Sequence, residues 1–103
     1  MAAEFGEWSK TLDATADIQM LCDQVKKEVE KITGQDYKVF KAVKYRIKSL
    51  CGGQFFVIKV DVGADYDHLN VHQITGLQHE VPPTLHGVEQ HKTKEDPLVP
   101  FSI

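Results

Sequence analysis

The chain predicts an α+β fold, one long α-helix packed on a four- to five-stranded antiparallel β-sheet. Three observations lead there. Apolar residues recur at spacings of three and four over a single stretch, from Ile18 to Ile32. After Gly34 the period changes to two. Glycine-containing breaks at 52–53 and 63–65 then separate the period-two stretches, as hairpins require. The 103 residues suit one domain, taken as 1–103. With 42% hydrophobic and 26% charged residues, there is enough apolar surface to offset the entropy of ordering.

Residues 1–13 show no period and read as a flexible N-terminal arm with a short extended piece. The helix follows. Ile18, Leu21, Cys22, Val25, Val29 and Ile32 form its apolar stripe, while Asp23, Gln24, Lys26, Lys27, Glu28, Glu30 and Lys31 face water. Thr15 is its N-cap and Asp17 sits in the first turn, where the helix dipole favours negative charge. Gly34 is the stop, because glycine adopts the left-handed cap conformation cheaply. Burial of the stripe, at roughly 1.5–3 kcal/mol per side chain, is the main source of the helix's stability.

Val43, Tyr45 and Ile47 alternate with Lys44, Arg46 and Lys48, so the next element is a strand with one wet face. Beyond Gly52-Gly53, a second strand carries Phe56, Ile58, Val60 and Val62 on one face. Phe55, Val57, Lys59 and Asp61 share the other. Leu69 and Val71 alternate with His68, Asn70 and His72 in a third strand. Residues 75–83 contain a glycine and two prolines and read as a loop; residues 84–94 form a weaker final strand. The helix stripe must cover one face of this sheet, which is too small to be stable bare.

The formal charge of −3 disfavours a fold-wide grip on nucleic acid or an anionic membrane. The basic run Lys41, Lys44, Arg46, Lys48 reads as a solvated strand face. No apolar run approaches the ~18–20 residues that span a bilayer. The first ten residues lack the basic and apolar regions of a secretory signal, and two unpaired cysteines, Cys22 and Cys51, form no disulfide framework. A cytoplasmic, reduced protein is expected.

No catalytic residue, metal site or cofactor is expected. His68 and His72 are four apart, but on a strand that separation is about 13 Å, too far for one ion. His79-Glu80 lacks a second histidine four residues on. Cys51 beside Gly52-Gly53 has no base or orienting group identifiable from sequence. Cys22 lies on the apolar stripe and reads as a small buried hydrophobe. Composition and period thus point to a binding function without naming its object.

Longer stretches of sequence say more. The segment Ala14-Thr15-Ala16-Asp17-Ile18-Gln19-Met20-Leu21-Cys22-Asp23-Gln24-Val25, followed by Phe40-Lys41-Ala42-Val43, resembles the stefins, the small intracellular branch of the cystatin cysteine-protease inhibitors. Phe56-Val57-Ile58-Lys59-Val60-Asp61-Val62-Gly63 is similar to their second strand and His68-Leu69-Asn70-Val71 to their third. Lys92-Thr93-Lys94-Glu95-Asp96-Pro97-Leu98-Val99-Pro100-Phe101 is similar to their tail. The matches run in order along nearly the whole chain. The resemblance implies reversible, competitive, non-covalent inhibition of papain-like cysteine proteases of the cathepsin type. A wedge made of an N-terminal arm and two hairpin loops would occlude the active-site cleft. Rigid hairpins entering a preformed groove lose little entropy.

Carried over position by position, the arm would use Phe5 and Gly6. The family's first-loop motif is Gln-Val-Val-Ala-Gly; this chain has Lys48, Ser49, Leu50, Cys51, Gly52 and Gly53. Counting from Val43 places Lys48 at the Gln and Gly52 at the Gly; counting back from Phe56 places Ser49 and Gly53 there. The loop is about one residue longer, and Leu50 is its one apolar candidate for the wedge tip. In the second loop, Leu77, Gln78 and His79 stand where stefins carry Leu-Pro. These departures keep open a second reading, a non-inhibitory cystatin-fold module that binds another protein. The expected state is a monomer, with a disulfide-linked or domain-swapped dimer as the alternative.

Overall fold

The structure is a computed structural model and describes residues 7–50, 52–74 and 82–100. Five strands and one helix follow in the order β1 (Leu12–Asp13), α1 (Ala16–Thr33), β2 (Lys41–Leu50), β3 (Gly53–Asp61), β4 (Tyr66–Ile74) and β5 (Thr84–Lys92). The strands form one antiparallel sheet in sequence order, β1-β2-β3-β4-β5, and α1 packs on its inner face.

Local chemistry sets the helix ends. The Thr15 hydroxyl accepts from the Ile18 N–H, satisfying one of the donors a helix start leaves orphaned. Gly34 closes the other end at φ 73°, its N–H donating to the Glu30 carbonyl. Ile18, Leu21, Cys22, Val25 and Val29 are buried against Phe56, Ile58, Val60, Leu69 and Val71.

Ile32 departs from the expected stripe, being 64% exposed. The chain turns back after Gly34, and Tyr37 and Phe40 fill that end of the core with their rings 5.5 Å apart. Tyr37 is held there by its N–H, which donates to Glu30 Oε2 at 2.9 Å, and by its hydroxyl, which donates to Asp67 Oδ2 at 2.7 Å. Gln19 fastens the helix to the sheet: its amide donates to the Phe40 carbonyl and accepts from the Ala42 N–H.

Val43 also departs. An irregularity between Ala42 and Lys44 inserts one extra residue into β2, so Ala42 joins the core while Tyr45 and Ile47 continue that face. Regular alternation from Ile47 backwards would put Val43, not Ala42, inside.

The outer face of the sheet is not simply wet. Lys59 Nζ donates to the carbonyls of Lys94 and Asp96 at 2.7 and 2.6 Å, and Arg46 donates to the Leu98 carbonyl at 2.9 Å. Residues 94–98 therefore cross this face as a strap, with Leu98 buried. Val57, Lys59, His68 and Asn70 are all buried on that side. Burial, opposed by Asp96 and Glu95, lowers the Lys59 ammonium below its ordinary range. No helix among the described residues is long and apolar enough to cross a membrane.

Candidate functional site

Antiparallel order brings three parts of the chain to one end of the sheet. Leu50 of β2 pairs with Gly53 of β3, so the first hairpin turns there. Gly53 pairs in turn with Ile74, the last residue of β4, so the 75–83 connection leaves from the same end. The N-terminal segment runs antiparallel to β2, with Leu12 opposite Tyr45 and Trp8 opposite Lys48, so the chain before Glu7 starts from this end too.

Residues 8–13, read from sequence as part of the arm, are hydrogen-bonded along β2. The Ser9 N–H donates to the Ile47 carbonyl at 2.8 Å, and its hydroxyl accepts from the Ile47 N–H at 3.0 Å. Arg46 Nε donates to the Ser9 carbonyl at 2.8 Å. Lys44 pairs with Asp13, and that contact holds the Asp13 carboxyl below its usual range. At the sheet's end the Lys48 ammonium lies 5.7 Å from the centre of the Trp8 ring, within cation–π range.

The first-loop candidates fall into two groups. Lys48, Ser49, Leu50 and Gly53 are ladder positions, opposite Phe55, Gln54, Gly53 and Leu50 respectively. Gly52 is the turn residue, at φ 81°, a conformation glycine adopts without penalty. Cys51, Phe5, Gly6, Leu77, Gln78 and His79 lie outside the described residues.

The two glycines therefore have different reasons. Gly53 is buried in β3, and a Cβ there would meet His72 Nε2 at 2.7 Å and the Gln73 carbonyl oxygen at 3.1 Å. His72 is held in place by stacking on Phe55, ring centres 4.3 Å apart. Gly53→Ala should lower stability by about 1–3 kcal/mol, the usual cost of overpacking. Urea unfolding measures the loss, and a wild-type midpoint would show that His72 moves aside freely.

Beside this end, a groove of about 350 Å³ opens between the first half of α1 and the sheet, with Ile18, Met20, Leu21, Tyr45, Ile47 and Phe56 in its lining. No group of three or more potential metal ligands occurs among the described residues. His68 and His72 do share the outer face, but His68 is buried near the strap while His72 stacks on Phe55. Cys22, the cysteine among the described residues, is buried and offers no thiolate: desolvation, aided by Asp23, pushes its thiol up to about 12.

Sequence reasoning missed Trp8, Phe55 and His86 as residues of this end. Phe55 was visible as an aromatic on an otherwise wet face; nothing local marked Trp8 as its neighbour across two strands.

Comparison with known proteins agrees with this architecture. The family profile described as "Cystatin domain" matches residues 6–95. The chain is 38% identical to Stefin-C of Bos taurus over 97 residues, covering 93% of this chain and 94% of that one. It is 40% identical to Cystatin-B of Homo sapiens over 98 residues, covering 93% and 97%. To Cystatin-A3 of Dictyostelium discoideum it is 36% identical over 90 residues, covering 87% and 90%.

Proposed function

The chain belongs to the cystatin family, whose members are protease inhibitors and not enzymes, and from that premise we propose that it is a reversible, non-covalent inhibitor of papain-like cysteine proteases. The observation that carries the reading is the convergence of the N-terminal segment, the β2–β3 turn and the β4–β5 connection at one end of the sheet. All three segments leave from hydrogen-bonded strands at the same end, so together they can reach into one cleft.

In this reading Phe5 and Gly6 enter the cleft from the arm. Lys48, Ser49, Leu50, Cys51, Gly52 and Gly53 form the first loop, and Leu77, Gln78 and His79 the second. Leu50 supplies the apolar contact that the family's Val-Val pair would make. Inhibition is weaker than that of typical stefins, because Lys48 must keep its hydration or meet a carboxylate. The protein acts in the cytoplasm, as a monomer and a single domain, without a cofactor. The non-inhibitory binding reading is favoured by one observation, the replacement of the family's Gln-Val by Lys48-Ser49 at the first loop.

An inhibition constant against papain, measured under reducing conditions for the full chain and for a variant lacking residues 1–6, tests the proposal. Truncation leaves every buried core residue among the described residues in place. Loss of one well-packed aromatic contact worth roughly 2–3 kcal/mol corresponds to about 30- to 150-fold weaker inhibition. Faster dissociation should account for most of it. An unchanged constant removes Phe5 and Gly6 from the site. If the full chain inhibits no papain-like protease, the binding-module reading replaces inhibition.

A further inference from the structure

Behind the hairpin end, the outer face carries a row of side chains that neither the core nor the strap accounts for. Cross-strand partners run from Trp8 to Lys48, from Lys48 to Phe55, and from Phe55 to His72. The Lys48 ammonium is 5.7 Å from the Trp8 ring centre and the Phe55 and His72 rings are 4.3 Å apart. His86 of β5 completes the row, 5.6 Å from His72 and 6.1 Å from Phe55. The row thus crosses from the N-terminal segment to the last strand. Trp8, Lys48, Phe55 and His72 are half-buried and His86 is exposed.

We propose that Trp8, Lys48, Phe55, His72 and His86 form a contact strip that grips the rim of the protease cleft, selecting papain-like enzymes whose rim bears carboxylates beside an apolar patch. This rests on the inhibitory reading above. Two observations favour the protease itself as occupant. The row is continuous with the edge that would enter the cleft, since Lys48 and His72 each stand two pairs or fewer from the strand ends at Leu50 and Ile74. Its chemistry also specifies the other side. Stacked aromatic rings are rigid and bury large area at small entropic cost, as contact hot spots do. An ammonium and two imidazoles supply hydrogen-bond donors, which a carboxylate accepts. Of the other charged residues of this outer face, Lys44, Arg46 and Lys59 are committed to Asp13, to the Ser9 and Leu98 carbonyls, and to the strap, while Glu89 and Lys92 pair with each other. Lys48 is the cation within the row itself.

Trp8 is the one tryptophan of the chain, so 5-fluorotryptophan places a single 19F label in the row. The experiment follows that resonance on adding papain with its catalytic cysteine blocked. Alongside it, inhibition constants are measured for the wild type, Trp8→Ala, His86→Ala and His86→Glu against one papain-like protease with an acidic cleft rim and one with a basic rim. The resonance is expected to move in the complex. Trp8→Ala and His86→Ala should each weaken inhibition of the acidic-rim enzyme about tenfold, the scale of interface residues that matter, with unchanged melting. His86→Glu should weaken it further while relatively sparing the basic-rim enzyme. His86 lies at the far end of the row from the arm, so its effect cannot arise by misplacing residues 1–6. If the wild type inhibits but the resonance and both alanine variants stay at wild-type values, the strip is overturned and the inhibitory reading stands. Equal effects of His86→Glu on the two enzymes overturn the charge selection. If the wild type neither inhibits nor binds, the inhibitory reading and the strip fall together.

Discussion

Val25→Asp is expected to remove a large share of the protein's stability. Val25 is fully buried in the middle of the helix stripe, in the cluster that joins α1 to Ile58, Leu69 and Val71. A carboxylate there must either stay charged without a partner or take up a proton at a large cost. We expect a loss of about 4–5 kcal/mol, at the top of the range for single substitutions. A domain of this size has roughly 5–15 kcal/mol in total. Lys27→Gln, on the exposed side of the same helix, should change stability by no more than about 0.5 kcal/mol. Urea unfolding followed by circular dichroism measures both, and a Val25→Asp midpoint near that of the wild type would refute the packing of α1 on the sheet.

Stability should also fall by about 3 kcal/mol between pH 7 and pH 4, with His68 as the main cause. The imidazole is buried on the outer face, and its Nε2 has no hydrogen-bond partner among the described residues. Desolvation, then the positive charges of Lys59 and Lys92, push its pKa down to about 4, with Glu89 and Asp96 opposing. An unfolded histidine titrates near 6.5. Between those two values the unfolded chain binds more protons than the folded one. The contribution is therefore fully present above about pH 6.5 and is lost as pH falls through 4, with about 2 kcal/mol gone by pH 5. Asp13 and Asp96 work in the same direction at lower pH, since Lys44 and the Thr93 N–H hold their carboxyls below the usual range. Asp67 works against them: burial raises its pKa, so it takes up its proton earlier in the folded state. Urea midpoints at pH 7, 6, 5 and 4 give the slope. His68→Gln should remove most of it between pH 6.5 and 5, and a variant with the wild-type slope would clear His68.

The first-loop candidates illustrate how far local sequence reaches. The position of the turn followed from Gly52-Gly53 lying between two period-two stretches, and β2 and β3 do turn there. Why both residues are glycine did not follow. Gly52 is required by its own φ, a local property. Gly53 is required by the ring of His72, nineteen positions along the chain and on another strand. The same limit hid the contact strip. Phe55 and His72 were each assigned to the side facing away from the helix, yet only strand register brings them together with Trp8 and His86.

By itself the sequence determined the elements and their order: a helix capped by Thr15 and Gly34, then an antiparallel meander with Phe56, Ile58, Leu69 and Val71 facing inward. These depend on backbone preferences and on periodicity within a few residues, which any stretch of chain expresses alone. Tertiary structure decided the rest. One extra residue in β2 put Ala42 inside instead of Val43, the return of Tyr37 left Ile32 in solvent, and the strap from Lys94 to Leu98 buried Lys59 and His68 on a face that alternation alone marks as wet. Each of these turns on whether a distant segment arrives to cover a surface. The free energy that decides it comes from apolar area and hydrogen bonds shared between residues far apart in the chain, so no local pattern records it.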